Sequence, residues 1–141
     1  MIWLIDDHHL STVLRGRPLP DPVSPTDTLA TTGYWYVRLC QAVLGAIDRP
    51  GALSGPFLEL PDEEQQRAID ALLELPDDIE LASLRDLGPT IGRLRQHHQL
   101  NVLSNEALAA AIHLDASVLL STPSPKLQAS LTTESRPHVV T

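Results

Sequence analysis

The chain has 141 residues, 43% of them hydrophobic, and a formal net charge of -8. That length suits one domain with its own core, and the composition excludes an intrinsically disordered chain. The acidic balance disfavours a surface that attracts nucleic-acid phosphates non-specifically. The single cysteine, Cys40, rules out an internal disulfide. No apolar run approaches the ~20 residues that span a membrane, and no signal peptide is visible, so we expect a cytoplasmic protein without a membrane partner.

The N-terminal stretch places five apolar residues directly before two carboxylates and two imidazoles. The run Met1–Ile5 predicts a first strand over residues 1–6, buried on both faces as in parallel sheets flanked by helices. Ligand crevices in such sheets lie at the carboxyl ends of the strands, where Asp6 and Asp7 would sit. Asp7 is also a candidate N-cap for a short helix from His8 to about residue 14.

The rest of the chain alternates between loops, helices and short strands. A proline-rich loop covers residues 15–25, and residues 28–33 form a short strand or the lead-in to a helix. Apolar spacing then predicts an amphipathic helix from Tyr34 to about Ile47, which carries Cys40 on its apolar face. The further predicted elements are a helix from Asp62 to about Leu75, a strand at 79–84, a helix at 85–98, a helix from Asn105 to about Leu114 capped by Ser104, and a strand at 117–121.

This order of elements predicts an α/β fold: a three-layer α/β/α domain with a mainly parallel sheet. We assign residues 1–122 to a single domain. Residues 123–141 are rich in Ser, Thr and Pro and form a C-terminal tail. Within the tail, Leu127 and Leu131 suggest a last turn of helix, and residues 138–140 suggest an edge strand.

A pattern in the two ends of this domain matches a known fold. The first strand ends at Asp6, the stretch 78–84 contains a later strand, and the stretch 104–111 contains most of an Ala-rich helix with the acidic Glu106. Together with the turn and strand at 114–121, this pattern resembles PIN domains, the nuclease fold of VapC-type toxins in bacterial toxin–antitoxin pairs. The resemblance covers roughly residues 1–14 and 77–122.

The resemblance implies metal-dependent phosphodiester hydrolysis, in which three or four carboxylates hold one or two Mg²⁺ or Mn²⁺ ions. Asp6 matches the first acidic position of the family. Glu106 matches the third, although Ser104 or Asn105 are alternatives there. The implied catalytic residues are therefore Asp6 and Glu106, and the implied metal ligands are Asp6, Asp7 and Glu106. The cofactor is Mg or Mn if the protein is active, and otherwise none.

Two of the family's acidic positions hold no carboxylate in this chain. The second position falls within residues 31–38, which contain no acidic residue, and the fourth follows the last strand, where the chain has Ser121-Thr122-Pro123. One or two carboxylates bind Mg²⁺ weakly unless substrate phosphates complete its coordination. An alternative interpretation therefore makes Asp7 a helix cap and Asp6 a polar residue at a strand end.

Histidines and aromatic residues add two further candidate sites. The pairs His8–His9 and His97–His98 could hold a transition metal such as Zn²⁺, or could be exposed histidines near helix ends. The cluster Tyr34-Trp35-Tyr36 beside Arg38 could stack bases or anchor a partner. Its structural alternative is that Trp35 and Tyr36 belong to the core and Tyr34 covers its edge. We take Tyr34, Trp35 and Arg38 as candidate binding residues.

Three hypotheses follow from these observations. The first is a PIN-like binding module, a catalytically impaired relative of VapC-type toxins, with an antitoxin-like protein or a second copy of the chain as its partner. The second is an active Mg/Mn-dependent endoribonuclease of a toxin–antitoxin system, although the net charge disfavours RNA as a partner. The third is an unrelated α/β domain that shares the pattern.

Overall fold

The computed structural model describes residues 1–45 and 50–141, which form one five-stranded parallel sheet and seven helices. The strand order across the sheet is β3-β2-β1-β4-β5. In chain order the elements are β1 (Ile2–Ile5), α1 (Asp7–Leu14), β2 (Thr28–Thr32), α2 (Gly33–Leu44), α3 (Gly55–Leu58), α4 (Asp62–Leu73), β3 (Ile79–Ala82), α5 (Leu84–Leu94), α6 (Val102–Leu114), β4 (Ser117–Leu120), α7 (Pro125–Thr133) and β5 (His138–Val140).

The first strand is the centre of the sheet, as its apolar run predicts. Leu4 pairs with Ala30 of β2 on one side and with Val118 of β4 on the other. Leu4 packs in a core cluster with α5, α6 and α7, whereas Trp3 and Ile5 pack in a second cluster with α1, α2 and α4. Successive residues of β1 thus fill opposite cores, which confirms the three-layer α/β/α prediction.

The segment that the sequence analysis set apart as a tail contributes to this same sheet and core. Leu127 and Leu131 of α7 are buried in the cluster that contains Leu4. Strand β5 pairs in parallel with β4, with Leu120 opposite Val140, and forms one edge of the sheet.

Two predicted N-caps are wrong. The N-cap of α1 is Asp6 and not Asp7, because Asp6 has an extended backbone and its carboxylate accepts the N–H of His9. Helix α6 is capped by Asn101 and not by Ser104: the Asn101 side chain accepts the N–H of Ser104 at 2.8 Å.

One helix has no counterpart among the predicted elements. Residues 55–58 form the short helix α3, whose Phe57 is buried in the cluster that contains Trp3 and residues of α4. Helix α2 ends at Leu44, and Ile47, the predicted helix end, lies outside the described residues. Within the described residues, no helix combines the length and the apolar character needed to cross a membrane.

Candidate functional site

Asp6 lies at the carboxyl end of the central strand and is only 5% exposed. Its Oδ1 accepts the backbone N–H of His9 at 3.0 Å, which caps α1. Its Oδ2 accepts two bonds from Ser121, one from the backbone N–H at 2.7 Å and one from the hydroxyl at 2.6 Å. Asp6 therefore ties the end of β1 to the residue that follows the neighbouring strand β4.

Asp7 is the first residue of α1 and is 4% exposed. Its Oδ1 accepts the N–H of His8 at 2.9 Å, whereas its Oδ2 accepts no hydrogen bond from the described residues. The guanidinium of Arg38 lies 3.4 Å from that Oδ2. Burial raises the pKa of the Asp7 carboxyl above its ordinary value, and the charge of Asp6 adds to the rise while Arg38 and His8 oppose it.

Glu106 is fully buried on α6 and serves the N-terminus of another helix. Its Oε1 accepts the backbone N–H of Tyr34 in the first turn of α2 at 2.9 Å. A carboxylate there is favoured because the first N–H groups of a helix lack partners within it and carry partial positive charge. The Oε2 atom accepts no hydrogen bond from the described residues, and it would lie 3.3 Å from a Cβ at Gly33.

A polar pocket of about 200 Å³ opens at this edge of the sheet. Asp6, Asp7, His8 and Arg38 supply its charged and titratable groups. Hydroxyl and apolar side chains complete the lining: Ser104, Ser121, Thr122, Ser124, Trp35, Leu103, Leu120, Pro123 and Leu127. The pocket lies where the fold class places ligand crevices, outside the carboxyl ends of parallel strands.

The carboxylates at this edge of the sheet are not arranged to coordinate a divalent cation. Asp6 already accepts three hydrogen bonds, Asp7 faces a guanidinium, and the free oxygen of Glu106 faces Gly33. Among the described residues, no group of three or more His, Cys, Asp and Glu side chains is placed to hold a metal ion. The catalytic and metal-binding roles of Asp6, Asp7 and Glu106 stay predictions.

The aromatic cluster is divided between the core and the surface. Trp35 is 3% exposed, and the Tyr36 hydroxyl donates to the carbonyl of Leu72 at 2.5 Å. Tyr34 is 42% exposed and Arg38 is half-exposed. The accessible part of the predicted binding surface is therefore Tyr34 with Arg38.

Two exposed apolar residues that the sequence analysis missed extend this surface along α2. Val37 and Leu44 are exposed and fall on the same side of the helix as Tyr34. The periodicity of the helix could have predicted this surface, because positions 34, 37 and 44 lie on the side of α2 opposite the buried Trp35 and Leu39.

The histidine pairs have separate surroundings. His8 lines the pocket, whereas His9 is buried and its Nε2 has no hydrogen-bond partner among the described residues. His97 is exposed, and the Nε2 of His98 lies 2.9 Å from Oε1 of Glu134 at the end of α7. The expectation of exposed histidines therefore holds for His97, while His9 and the His98 side chain are largely covered.

Comparison with known proteins adds no assignment to this geometry. No protein-family model matches the chain, and no curated protein matches its sequence. The fold itself, an α/β domain with a parallel five-stranded sheet, is compatible with a PIN-like domain.

Proposed function

We propose that this chain is a PIN-like domain, a catalytically impaired relative of VapC-type toxins, that acts as a binding module. The observation that carries the proposal is that the Asp6 carboxylate already accepts hydrogen bonds from within the chain. An ionised carboxylate offers about four lone-pair sites, and three hydrogen bonds from His9 and Ser121 occupy most of them. Asp6 serves as a structural link between β1, α1 and the end of β4.

The partner that best fits the accessible surface is a protein. Base stacking needs accessible aromatic rings, and within the Tyr34–Tyr36 cluster Trp35 is buried while Tyr36 is bonded to Leu72. The net charge of -8 also disfavours nucleic acid. An exposed row of Tyr34, Val37 and Leu44 instead suits packing against the apolar side of an antitoxin-like protein or of a second copy.

The decisive experiment is an RNA cleavage assay with Mg²⁺ or Mn²⁺, using the folded wild type and a folded Asp6→Asn variant. We expect no divalent-dependent cleavage by the wild type beyond the level of the variant. Cleavage by the wild type that Asp6→Asn abolishes, with both proteins folded by circular dichroism, would contradict the proposal.

The binding surface has its own test in sedimentation equilibrium of the full chain. If the partner is a second copy, the wild type dimerises, Val37→Glu weakens the dimer by at least tenfold, and Leu73→Glu, an exposed control on α4, does not. A monomeric wild type excludes the second copy and leaves a different protein as partner.

An active ribonuclease is the second candidate, and one specific observation favours it. Asp7 Oδ2 and Glu106 Oε2 are buried carboxylate oxygens that accept no hydrogen bond within the described chain. A buried acceptor without a partner costs about 1–3 kcal/mol, which a bound cation would offset. Under this hypothesis Asp6→Asn and Glu106→Gln each abolish Mn²⁺-dependent cleavage while leaving the proteins folded.

A further inference from the structure

Arg38 lies close to Asp7, which with Asp6 forms an acidic pair at the end of β1. It lies on α2, one turn after Tyr34, and lines the same pocket as Asp6 and Asp7. Its Nη1 is 3.4 Å from Asp7 Oδ2, the carboxylate oxygen that accepts no hydrogen bond from the described residues. The guanidinium therefore occupies the side of Asp7 on which any other cation would have to bind.

The electrostatics of the pocket explain why a cation is needed there. Asp6 and Asp7 are adjacent in the chain, and both side chains are at least nine-tenths buried. A buried carboxylate without a compensating charge is strongly disfavoured. The guanidinium of Arg38, 3.4 Å from Asp7 Oδ2, supplies such a charge.

The contact between Arg38 and Asp7 can be removed without exposing the hydrophobic core. Arg38 is half-exposed, and it meets Asp7 as an ion pair rather than through a hydrogen bond of good geometry. Removing the guanidinium should therefore leave an acidic, solvent-accessible pocket rather than a collapsed core.

We infer that Arg38 is the resident counter-cation of this pocket and that it keeps divalent cations out. A guanidinium keeps its positive charge throughout the physiological pH range. The pocket thus keeps Asp6 and Asp7 at the end of β1, and Arg38 supplies the positive charge that a metal ion would otherwise supply. This inference rests on the proposed function only in treating the pocket as non-catalytic.

The test measures cation binding and not activity. Melting temperatures of the wild type, Arg38→Ala, Arg38→Gln and Arg38→Lys are recorded with and without Mn²⁺ at about 10 mM, since a ligand stabilises the state that binds it. We expect no shift for the wild type or Arg38→Lys, and a saturable rise of about 3–5 °C for Arg38→Ala and Arg38→Gln. Mn²⁺ electron paramagnetic resonance should show the same difference in bound ion.

Two controls separate a site from a general charge effect. Arg67→Ala removes one positive charge from an exposed position on α4, so it should behave as the wild type. Asp7→Asn combined with Arg38→Ala should lose the Mn²⁺ response.

The inference is overturned if folded Arg38→Ala and Arg38→Gln bind no Mn²⁺, or if the wild type is stabilised as much as they are. If Arg38→Ala does not fold, the contrast between Arg38→Gln and Arg38→Lys decides. Asp6-dependent RNA cleavage by the wild type would refute the proposed function, whereas an absent Mn²⁺ response in the Arg38 variants refutes this inference alone.

Discussion

Ser121→Ala tests the link between Asp6 and the end of β4. The substitution removes the hydroxyl that donates to Asp6 Oδ2 at 2.6 Å and leaves the backbone donor at 2.7 Å in place. A hydrogen bond to a charged group contributes about 1.5–3 kcal/mol, and because Ser121 is only half-buried the lower part of that range, about 2 kcal/mol, applies. For 141 residues, an unfolding entropy of about 2.1 cal/mol/K per residue converts this into a fall of about 7 °C in melting temperature.

The measurement is thermal and urea unfolding at neutral pH, with Ser124→Ala as the matched control. Ser124 lies in the same loop, and its side chain makes no capping hydrogen bond within the described residues, so its loss should shift the melting temperature little. The hydroxyl's role is refuted if Ser121→Ala and Ser124→Ala melt within about 2 °C of each other, a difference of well under 1 kcal/mol. A double-mutant cycle with Asp6→Asn should show coupling, since the amide has a single acceptor oxygen for the bonds that His9 and Ser121 donate to two carboxylate oxygens.

Three further predictions concern buried or closely packed groups. Burial raises the pKa of the Asp7 carboxyl above its ordinary value of 3.8. The stability that Asp7 contributes is therefore complete below pH 3.8 and is lost as the pH rises through the pKa of the folded state. We expect the urea resistance of Asp7→Asn to increase relative to that of the wild type as the pH rises. The pKa of Asp27 is shifted in the opposite direction, because hydrogen bonds from the Ser24 backbone and the Trp3 indole lower it. The stability that Asp27 contributes is present above pH 3.8 and is lost as the pH falls through the pKa of the folded state. Asp27→Asn should therefore be less stable than the wild type at neutral pH but not in acid. Gly33→Ala should lower stability by about 1 kcal/mol, because the new methyl group crowds Glu106, which is fully buried and hydrogen-bonded to α2. Gly92 occupies an exposed position of α5 with no described atom near its Cβ position, so Gly92→Ala should raise stability by about 0.5–1 kcal/mol in the same denaturation assay.

The sequence was sufficient to predict the central strand, because its pattern is local. A run of apolar residues without polar interruption requires cover on both faces, and in the structure Leu4 fills one core while Trp3 and Ile5 fill the other. The position of Asp6 at the carboxyl end of that strand follows from the same run.

The contacts that define the site could not be predicted, because they join distant parts of the chain. Asp6 meets Ser121 across 115 positions, and Glu106 meets the N–H of Tyr34 across 72. In the sequence, residues 121–123 only show a missing acidic residue, whereas in the structure the Ser121 hydroxyl donates to Asp6. The sequence predicts Asp7 as the N-cap of α1, whereas the N-cap is Asp6: an aspartate caps well at either position, and only the backbone conformation decides between them.

Asp6 and Glu106 each have a structural task that would require a carboxylate without any catalysis. Asp6 caps α1 and binds Ser121 after β4, and Glu106 accepts the N–H of Tyr34 in the first turn of α2. Loss of cleavage in Asp6→Asn would therefore have two explanations, the loss of a reacting group and the loss of this link. Ser121→Ala separates them, because it weakens the same link and keeps the carboxylate: activity that survives Ser121→Ala but not Asp6→Asn belongs to the carboxylate itself.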